Sequence, residues 1–452
     1  MPKQLFGTDG IRGLPGQYPL DDATLDQIGL ALGGYVVLHS RGPSPRVLIG
    51  RDTRESGPHI ADRLAHGIAS AGAEPVSAGV LTTPGVAWLV NRESFAAGVV
   101  VSASHNPYHD NGVKLISPSG MKFPDEVEVE LEKSILSGKL PESRAKLKDG
   151  DHRPSDLELH EDYLAGLRQT VLPGANFGDM KIVLDCANGA ASALAPKLFQ
   201  SLGAMVISMN SAPDGRNINA DCGSLHPEAM LRRVTETGAS LGAAFDGDAD
   251  RAIFATATGN LVNGDGVLLA AGRYLKATGK LRGNVIVSTT MANLGLERVL
   301  EKSGLHLARA AVGDRYVLEE MQRIGANLGG EQSGHIIFLD DAPTGDGMLT
   351  ALKIASLVSI AGPLDELVAD LKLFPQRIVN VPVKSKPPLE MLPAVSSTLG
   401  DAERALGKTG RVVVRYSGTE PLARVMVEAE SERDVERWTE SLAKALQSAI
   451  GR

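Results

Sequence analysis

The feature that most constrains this chain is a recurring pair: a short apolar run that stops in glycine or polar residues, then a stretch with apolar residues at helical spacing. The runs "RVLIGRDTRESG", "FAAGVVVSASHN", "KIVLDCANGA", "SLGAAFDGDADR", "NVIVSTT" and "ANLGGEQSGHIIF" each read as a buried strand entering a loop. Between them "HIADRLAHGIASAG", "LAPKLFQSLG" and "GVLLAAGRYLKATG" read as helices with glycine near the stop. Strands that alternate with helices predict an α/β architecture with mostly parallel sheets. At 452 residues the chain is too long for one hydrophobic core. The pattern recurs near 1–155, 156–256 and 257–370, which predicts three similar α/β domains. After "LKLFPQRIVNVPVKSKPPL" the texture turns to Pro and Lys. There "RVVVRYSGTEPLARVMVEAES" reads as two antiparallel strands and "RDVERWTESLAKALQSAI" as a closing helix, so a smaller α+β domain is expected over 371–452.

Charge and composition remove several classes of function. The formal charge is -8 and no Lys/Arg run reverses it locally, which argues against a nucleic-acid surface. An anionic ligand would need local arginines. No apolar run reaches the roughly 18 residues of a membrane span, and "MPKQLFGTDGIRG" lacks a signal peptide's apolar core, so a cytoplasmic protein is expected. Cys186 and Cys222 form neither a CxxC pair nor a disulfide framework; they read as small buried side chains in a reducing compartment.

α/β proteins keep ligand chemistry in loops at the carboxyl ends of parallel strands, and five loops here are chemically unusual. In "AAFDGDADR" the carboxylates Asp246, Asp248 and Asp250 stand at i, i+2 and i+4 after an apolar strand. So close a set repels itself unless a cation sits among it, and oxygen ligands suit Mg²⁺; the other reading is a solvated acidic turn. An EF-hand is excluded, because Arg251 stands where its glycine belongs and Ala257 where its glutamate belongs. In "SASHNP" a serine at a strand end can carry phosphate or act as a nucleophile, Ser104 adjoins His105, and Lys114 follows in "NGVKL". A turn whose serine or asparagine caps a helix fits these residues equally well. "RYSGTEPLAR" sets Ser417, Gly418 and Thr419 between Arg415 and Arg424, a composition suited to a phosphate monoester. "GGEQSGH" offers Glu331 and Ser333 to sugar hydroxyls, and "FGTDGIRG" brings Arg12; each alone reads more simply as a plain turn. "ALGKT" at 405–409 is no P-loop, since alanine stands at 402 and a strand follows it, and no GxGxxG fingerprint follows a strand. ATP and NAD are not implied.

In this order the five loops resemble the α-D-phosphohexomutase superfamily, most closely its phosphoglucosamine mutase branch; Gln332 in "GEQSGH" stands where the phosphomannomutase/phosphoglucomutase branch usually has methionine. The resemblance covers residue 6 to about 430. It implies an active site in a central cleft and an isomerase that interconverts glucosamine 6-phosphate and glucosamine 1-phosphate, a step toward UDP-N-acetylglucosamine and cell-wall precursors. It implies a phosphoserine at Ser104, with Mg²⁺ held by its phosphate and by Asp246, Asp248 and Asp250. On the reading of the loop itself, His105 and Asn106 would orient what Ser104 carries; the resemblance implies Lys114, Arg12, Arg251 and His335 around the transferring group as charge stabilisers or proton carriers. Glu331 and Ser333 would bind the sugar; Arg415, Ser417, Gly418, Thr419 and Arg424 would hold the phosphate that is not reacting. Glucosamine 1,6-bisphosphate, or glucose 1,6-bisphosphate, would serve as activator, and a homodimer is compatible with the resemblance. A phosphomannomutase/phosphoglucomutase is the nearest alternative. An aspartyl phosphatase of the haloacid dehalogenase type using Asp246 would leave "SASHNP" and "RYSGTEP" idle, and a third reading is a non-catalytic sugar-phosphate sensor that retains the loops without turnover.

Overall fold

The computed structural model describes residues 4–7, 10–40, 45–140, 157–417 and 421–452. The first sheet has the order β1-β5-β4-β2-β3, built from β1 (Ile11–Gly13), β2 (Arg46–Arg51), β3 (Glu74–Val80), β4 (Ala97–Val101) and β5 (Asn111–Ile116). The second runs β10-β9-β8-β6-β7, from β6 (Lys181–Asp185), β7 (Met205–Met209), β8 (Leu241–Phe245), β9 (Ala252–Thr256) and β10 (Leu261–Val262). The third runs β12-β11-β13-β14, from β11 (Val285–Thr289), β12 (His306–Ala310), β13 (Leu328–Gly330) and β14 (Ile336–Phe338).

These sheets repeat one design. In each, a first strand pairs in parallel with both the second and the third, and the third then turns back into an antiparallel partner. Central strands such as β4, "AGVVV", are buried at every position, which is why they read as apolar runs without alternation. The three turns from third strand to antiparallel partner are 102–110, 246–251 and 331–335, so "SASHNP", "DGDADR" and "EQSGH" occupy equivalent places in the three repeats.

The last sheet differs. β15 (Gln376–Pro382), β16 (Gly410–Tyr416) and β17 (Leu422–Ala429) pair antiparallel in the order β15-β17-β16, and helices Pro393–Leu406 and Glu432–Ile450 pack against it. The expected strand pair and closing helix are present, and β15 is an additional edge strand. One hydrophobic cluster runs through the first three units, joining Leu48 and Val100 to Tyr163, Phe199, Phe245 and Leu352. Helix Gly347–Ala361 is buried at every position from Gly347 to Leu357, as expected of a helix with apolar residues on most of its circumference. The C-terminal unit has its own core around Val425, Trp438 and Leu442. Among the described residues no helix is long and apolar enough to cross a membrane.

Candidate active site

Three of the five loops meet. Ser104, at the end of β4, donates from Oγ to Asp246 Oδ2 at 2.7 Å, and its Oγ lies 3.3 Å from His105 Nδ1. Asp246, Asp248 and Asp250 are buried, with one oxygen from each within 4.8 Å of the others. Ser104 itself is buried and takes φ 50, the left-handed region, so the chain turns at this residue instead of extending the strand.

The acidic loop is held from several sides. Thr83 donates from Oγ1 to Asp248 Oδ2 at 2.6 Å and from its N–H to Asp248 O at 3.0 Å. Lys114, on β5, brings Nζ to 3.4 Å from Asp248 Oδ2 and 3.9 Å from Asp250 Oδ2. Arg251 donates its N–H to Asp246 Oδ1 at 3.2 Å, and its buried Nε, which makes no hydrogen bond, lies 3.8 Å from Asp250 Oδ1. Arg12 lies on β1 rather than in a loop and reaches Ala103 O at 3.2 Å and Asn106 Oδ1 at 3.4 Å from Nη1.

Electrostatics show what the triad lacks. Burial, then the Asp250 and Asp248 carboxylates, raise Asp246 well above the usual carboxylate range. Burial and Asp248 raise Asp250 as well. Burial also opposes ionisation of Asp248, yet the Lys114 ammonium, the Thr83 hydroxyl and the Arg12 and Arg251 guanidiniums hold it below its ordinary value. The same carboxylates raise Arg251 against the effect of its own burial. Asp248 Oδ1 and Asp250 Oδ1 are buried without a hydrogen bond. Buried carboxylate oxygens with no donor, crowded into one spot, are a poor arrangement alone and a good donor set for a hard divalent cation. The residues therefore fit Mg²⁺.

The sugar-loop candidates lie against this centre. Gly334, at φ 95, packs so closely that a β-carbon would meet Ala252 O at 2.4 Å, which seats "EQSGH" on the strand leaving "DGDADR". Glu331 accepts from Gly313 N–H at 3.1 Å through Oε1 and is one of the charges that raise Arg251. Ser333 is exposed. His335 is 3% exposed, its Nδ1 has no hydrogen-bond partner, and its ring lies where a β-carbon on Gly345 would be only 2.4 Å from Nε2. Lys114, Asp250 and His335 share a cavity of about 310 Å³ between the first and third units, large enough for a small ligand.

The fifth loop stands apart. Arg415 and Arg424 are opposite each other on β16 and β17, and with Asn380, Val413, Met426 and Met291 line a separate hollow of about 240 Å³. Burial and the Arg424 charge lower Arg415 below the usual guanidinium range. Ser417 is buried, and Gly418 and Thr419 lie outside the described residues. β16 and β17, the strands on either side of this motif, pair antiparallel, so it does not follow a parallel strand. Thr83, Asn219 and Lys386 escaped the sequence reading; Lys386 donates from Nζ to Ser417 O at 2.6 Å, and Asn219 from Nδ2 to Ser104 O at 2.9 Å. "RDTRESG" and "RNINADCGS" carry unusual polar density, but nothing local says where those side chains point.

Comparison with known proteins agrees with this arrangement. Residues 3–142, 161–259, 263–374 and 378–445 match, in turn, alpha/beta/alpha domains I, II and III and the C-terminal domain of the phosphoglucomutase/phosphomannomutase family. A phosphoglucosamine mutase from Solibacter usitatus is 51% identical over 461 residues, covering 100% of each chain. Among solved structures, a phosphoglucomutase/phosphomannomutase family protein from Burkholderia thailandensis superposes with a TM-score of 0.79 at 24% identity, covering 99% of each chain. Aspergillus fumigatus N-acetylphosphoglucosamine mutase in complex with GlcNAc-6P and magnesium does so with a TM-score of 0.66 at 18% identity, covering 99% of this chain and 96% of that one. The chain belongs to the phosphoglucomutase/phosphomannomutase family, on its phosphoglucosamine mutase branch.

Proposed function

We propose that the chain interconverts glucosamine 6-phosphate and glucosamine 1-phosphate, with Ser104 as the phosphoryl carrier. The observation that carries the reading is the Ser104 hydroxyl at 2.7 Å from Asp246, inside an acidic triad ringed by Lys114, Arg12 and Arg251. In the first half-reaction the sugar's C1 hydroxyl oxygen bonds to phosphorus, the Ser104 Oγ–P bond breaks, and the hydroxyl proton passes to a neighbouring base. This leaves glucosamine 1,6-bisphosphate and a free serine. The bisphosphate turns round, Ser104 Oγ gives up its proton and bonds to the phosphorus at C6, the bond from that phosphorus to the C6 oxygen breaks and the oxygen takes a proton, and glucosamine 1-phosphate departs with the seryl phosphate restored.

Such a transfer needs positioning and neutralisation of charge on the equatorial oxygens. Lys114, Arg12 and Arg251 supply fixed positive charge, and Lys114, His335 and Arg12 are the neighbouring groups among which the proton is taken up or released. Asp246, Asp248 and Asp250, with the seryl phosphate, are the residues to hold Mg²⁺, which when bound supplies further positive charge against the phosphoryl oxygens. Glu331 and Ser333 bind sugar hydroxyls. Arg415, Ser417, Gly418, Thr419 and Arg424 hold the phosphate at the far end of the sugar in either orientation. Residues 1–155 then carry phosphate, 156–256 metal, 257–370 sugar and 371–452 the distal phosphate.

The test is a substrate panel with Mg²⁺ and a glucose 1,6-bisphosphate activator, so that an unphosphorylated Ser104 does not silence every sugar alike. A kcat/KM for glucosamine 6-phosphate at least about tenfold above glucose or mannose 6-phosphate is expected, roughly 1.4 kcal/mol of transition-state preference. A better turnover of glucose or mannose phosphate would remove the glucosamine assignment and leave the carrier mechanism standing.

A further inference from the structure

Ser104 holds φ 50, a left-handed backbone that a residue with a β-carbon adopts under strain, so its surroundings must impose it. Arg54 is 0% exposed, and its guanidinium donates to the main-chain carbonyls of Ser104 at 2.9 Å, Asn106 at 2.8 Å and Asp110 at 3.1 Å, and also to that of Pro107. Its Nε is held by Asp52 Oδ2 at 2.8 Å, so the buried charge is paired. Asp52 Oδ2 accepts in addition from Ser102 Oγ at 2.6 Å, and Ser102 Oγ accepts from the Ser104 N–H at 2.9 Å. A hydroxyl has one donor and two acceptor sites, so Ser102 can make both bonds at once. From the second unit, Asn219 Nδ2 donates to Ser104 O at 2.9 Å and Asn106 O at 3.0 Å. Gly247 closes the same side, since a β-carbon there would lie 2.6 Å from Ser104 O.

We propose that Arg54, with Asp52, Ser102 and Asn219, is the positioning apparatus of the phosphoryl-carrying loop: it fixes the backbone on both sides of the Ser104 α-carbon so that Oγ faces the acidic triad in each half-reaction. The inference rests on the reading of Ser104 as carrier. None of the four is a catalytic residue, since their contacts are with the loop and with one another. The guanidinium is a planar fork with five donors, so it can serve several carbonyls of one turn while keeping Asp52; an ammonium has three donors at a single point. The lock is double, with Arg54 from the first unit and Asn219 from the second sharing the carbonyls of Ser104 and Asn106. The loop therefore keeps one pose relative to the metal ligands on the neighbouring domain.

The test uses full-length Arg54→Lys, Ser102→Ala and Asn219→Ala enzymes with glucose 1,6-bisphosphate as phosphoryl donor. The rate of phosphate appearance on Ser104 is followed by intact mass, alongside kcat, KM for glucosamine 6-phosphate and the thermal unfolding curve. For Arg54→Lys, phosphorylation rate and kcat should both fall by about 100-fold, the cost of displacing a reacting atom by about 1 Å, while KM stays within about threefold. A role in folding alone would lower melting temperature and folded fraction but leave the rate per folded molecule unchanged, and that outcome overturns the proposal. If Arg54→Lys does not fold, Ser102→Ala and Asn219→Ala decide: slowed transfer in both supports it, wild-type rates in both overturn it. Absence of phosphate on Ser104 in the wild-type enzyme would instead defeat the carrier reading beneath.

Discussion

Two serines share the turn after β4, and they face different tasks. Ser102 and Ser104 would point to the same face of a continued strand, but the left-handed turn at Ser104 separates them: Ser102 reaches Asp52 and Ser104 reaches Asp246. Ser104→Ala should therefore lose turnover entirely, with no phosphate on the enzyme after exposure to glucose 1,6-bisphosphate. It removes the hydroxyl's contacts with Asp246 and His105, so unfolding free energy should change by only about 1–3 kcal/mol. Near wild-type turnover would refute the carrier assignment. For the triad, full activity should disappear in EDTA and return with Mg²⁺, and Asp248→Asn should bind Mg²⁺ more weakly by calorimetric titration, because a ligand charge is lost. Activity that survives the chelator would remove the metal from the reading. Asp246, Asp248 and Asp250 were legible because their spacing is itself unusual. Asp52 and Arg54 were not, since "RDTRESG" looks like any polar strand end until its carbonyl partners are in view.

At the level of elements, the site repeats one position: the turn between the third strand of each unit and its antiparallel partner. The sugar-loop turn is also tied to the N-terminus of helix Gly264–Ala277. Gly264 donates its N–H to Gln332 O at 3.0 Å, and Asp265 Oδ2 accepts from the Asn293 N–H at 3.0 Å and from Gln332 Nε2 at 3.4 Å. Burial pushes the Asp265 carboxyl from 3.8 up to about 6. A carboxyl raised in the folded state stabilises the fold below its unfolded value, and that stabilisation is lost as pH rises through the folded one. The wild type should thus lose on the order of 2–3 kcal/mol from this group between about pH 4 and pH 6. Asp265→Asn has no such titration, so its melting temperature relative to wild type should climb across that window. A pH-independent difference would show that Asp265 titrates normally. β15 escaped the sequence reading because it is an edge strand buried at few positions, and its "RIVNVP" lacks the apolar run that marked the central strands.

Over the whole molecule, one hydrophobic cluster runs through three units and the fourth has its own. Arg411 joins it to the third unit through Thr290 O at 2.6 Å while pairing with Glu428, whose other oxygen accepts from Leu294 N–H at 2.9 Å. Arg415 and Arg424 sit on this separately cored unit, and under the proposed function they grip the distal phosphate. Arg424→Ala should raise KM for glucosamine 6-phosphate by about 10- to 150-fold, the worth of a charge-assisted hydrogen bond of about 1.5 to 3 kcal/mol, with kcat less affected. An unchanged KM would move the distal phosphate elsewhere.

The order of apolar runs and loops determined the α/β repeats, the separate C-terminal unit and the reactive residue types, because strand burial and backbone geometry constrain local composition directly. Only the packing of the sheets decided that Ser104 would meet Asp246, 142 residues later, at 2.7 Å, and that Arg54 and Asn219 would converge on one carbonyl. Hydrogen bonding and charge coupling act over a few ångströms. Which side chains come that close is a property of the assembled core and has no counterpart in sequence separation.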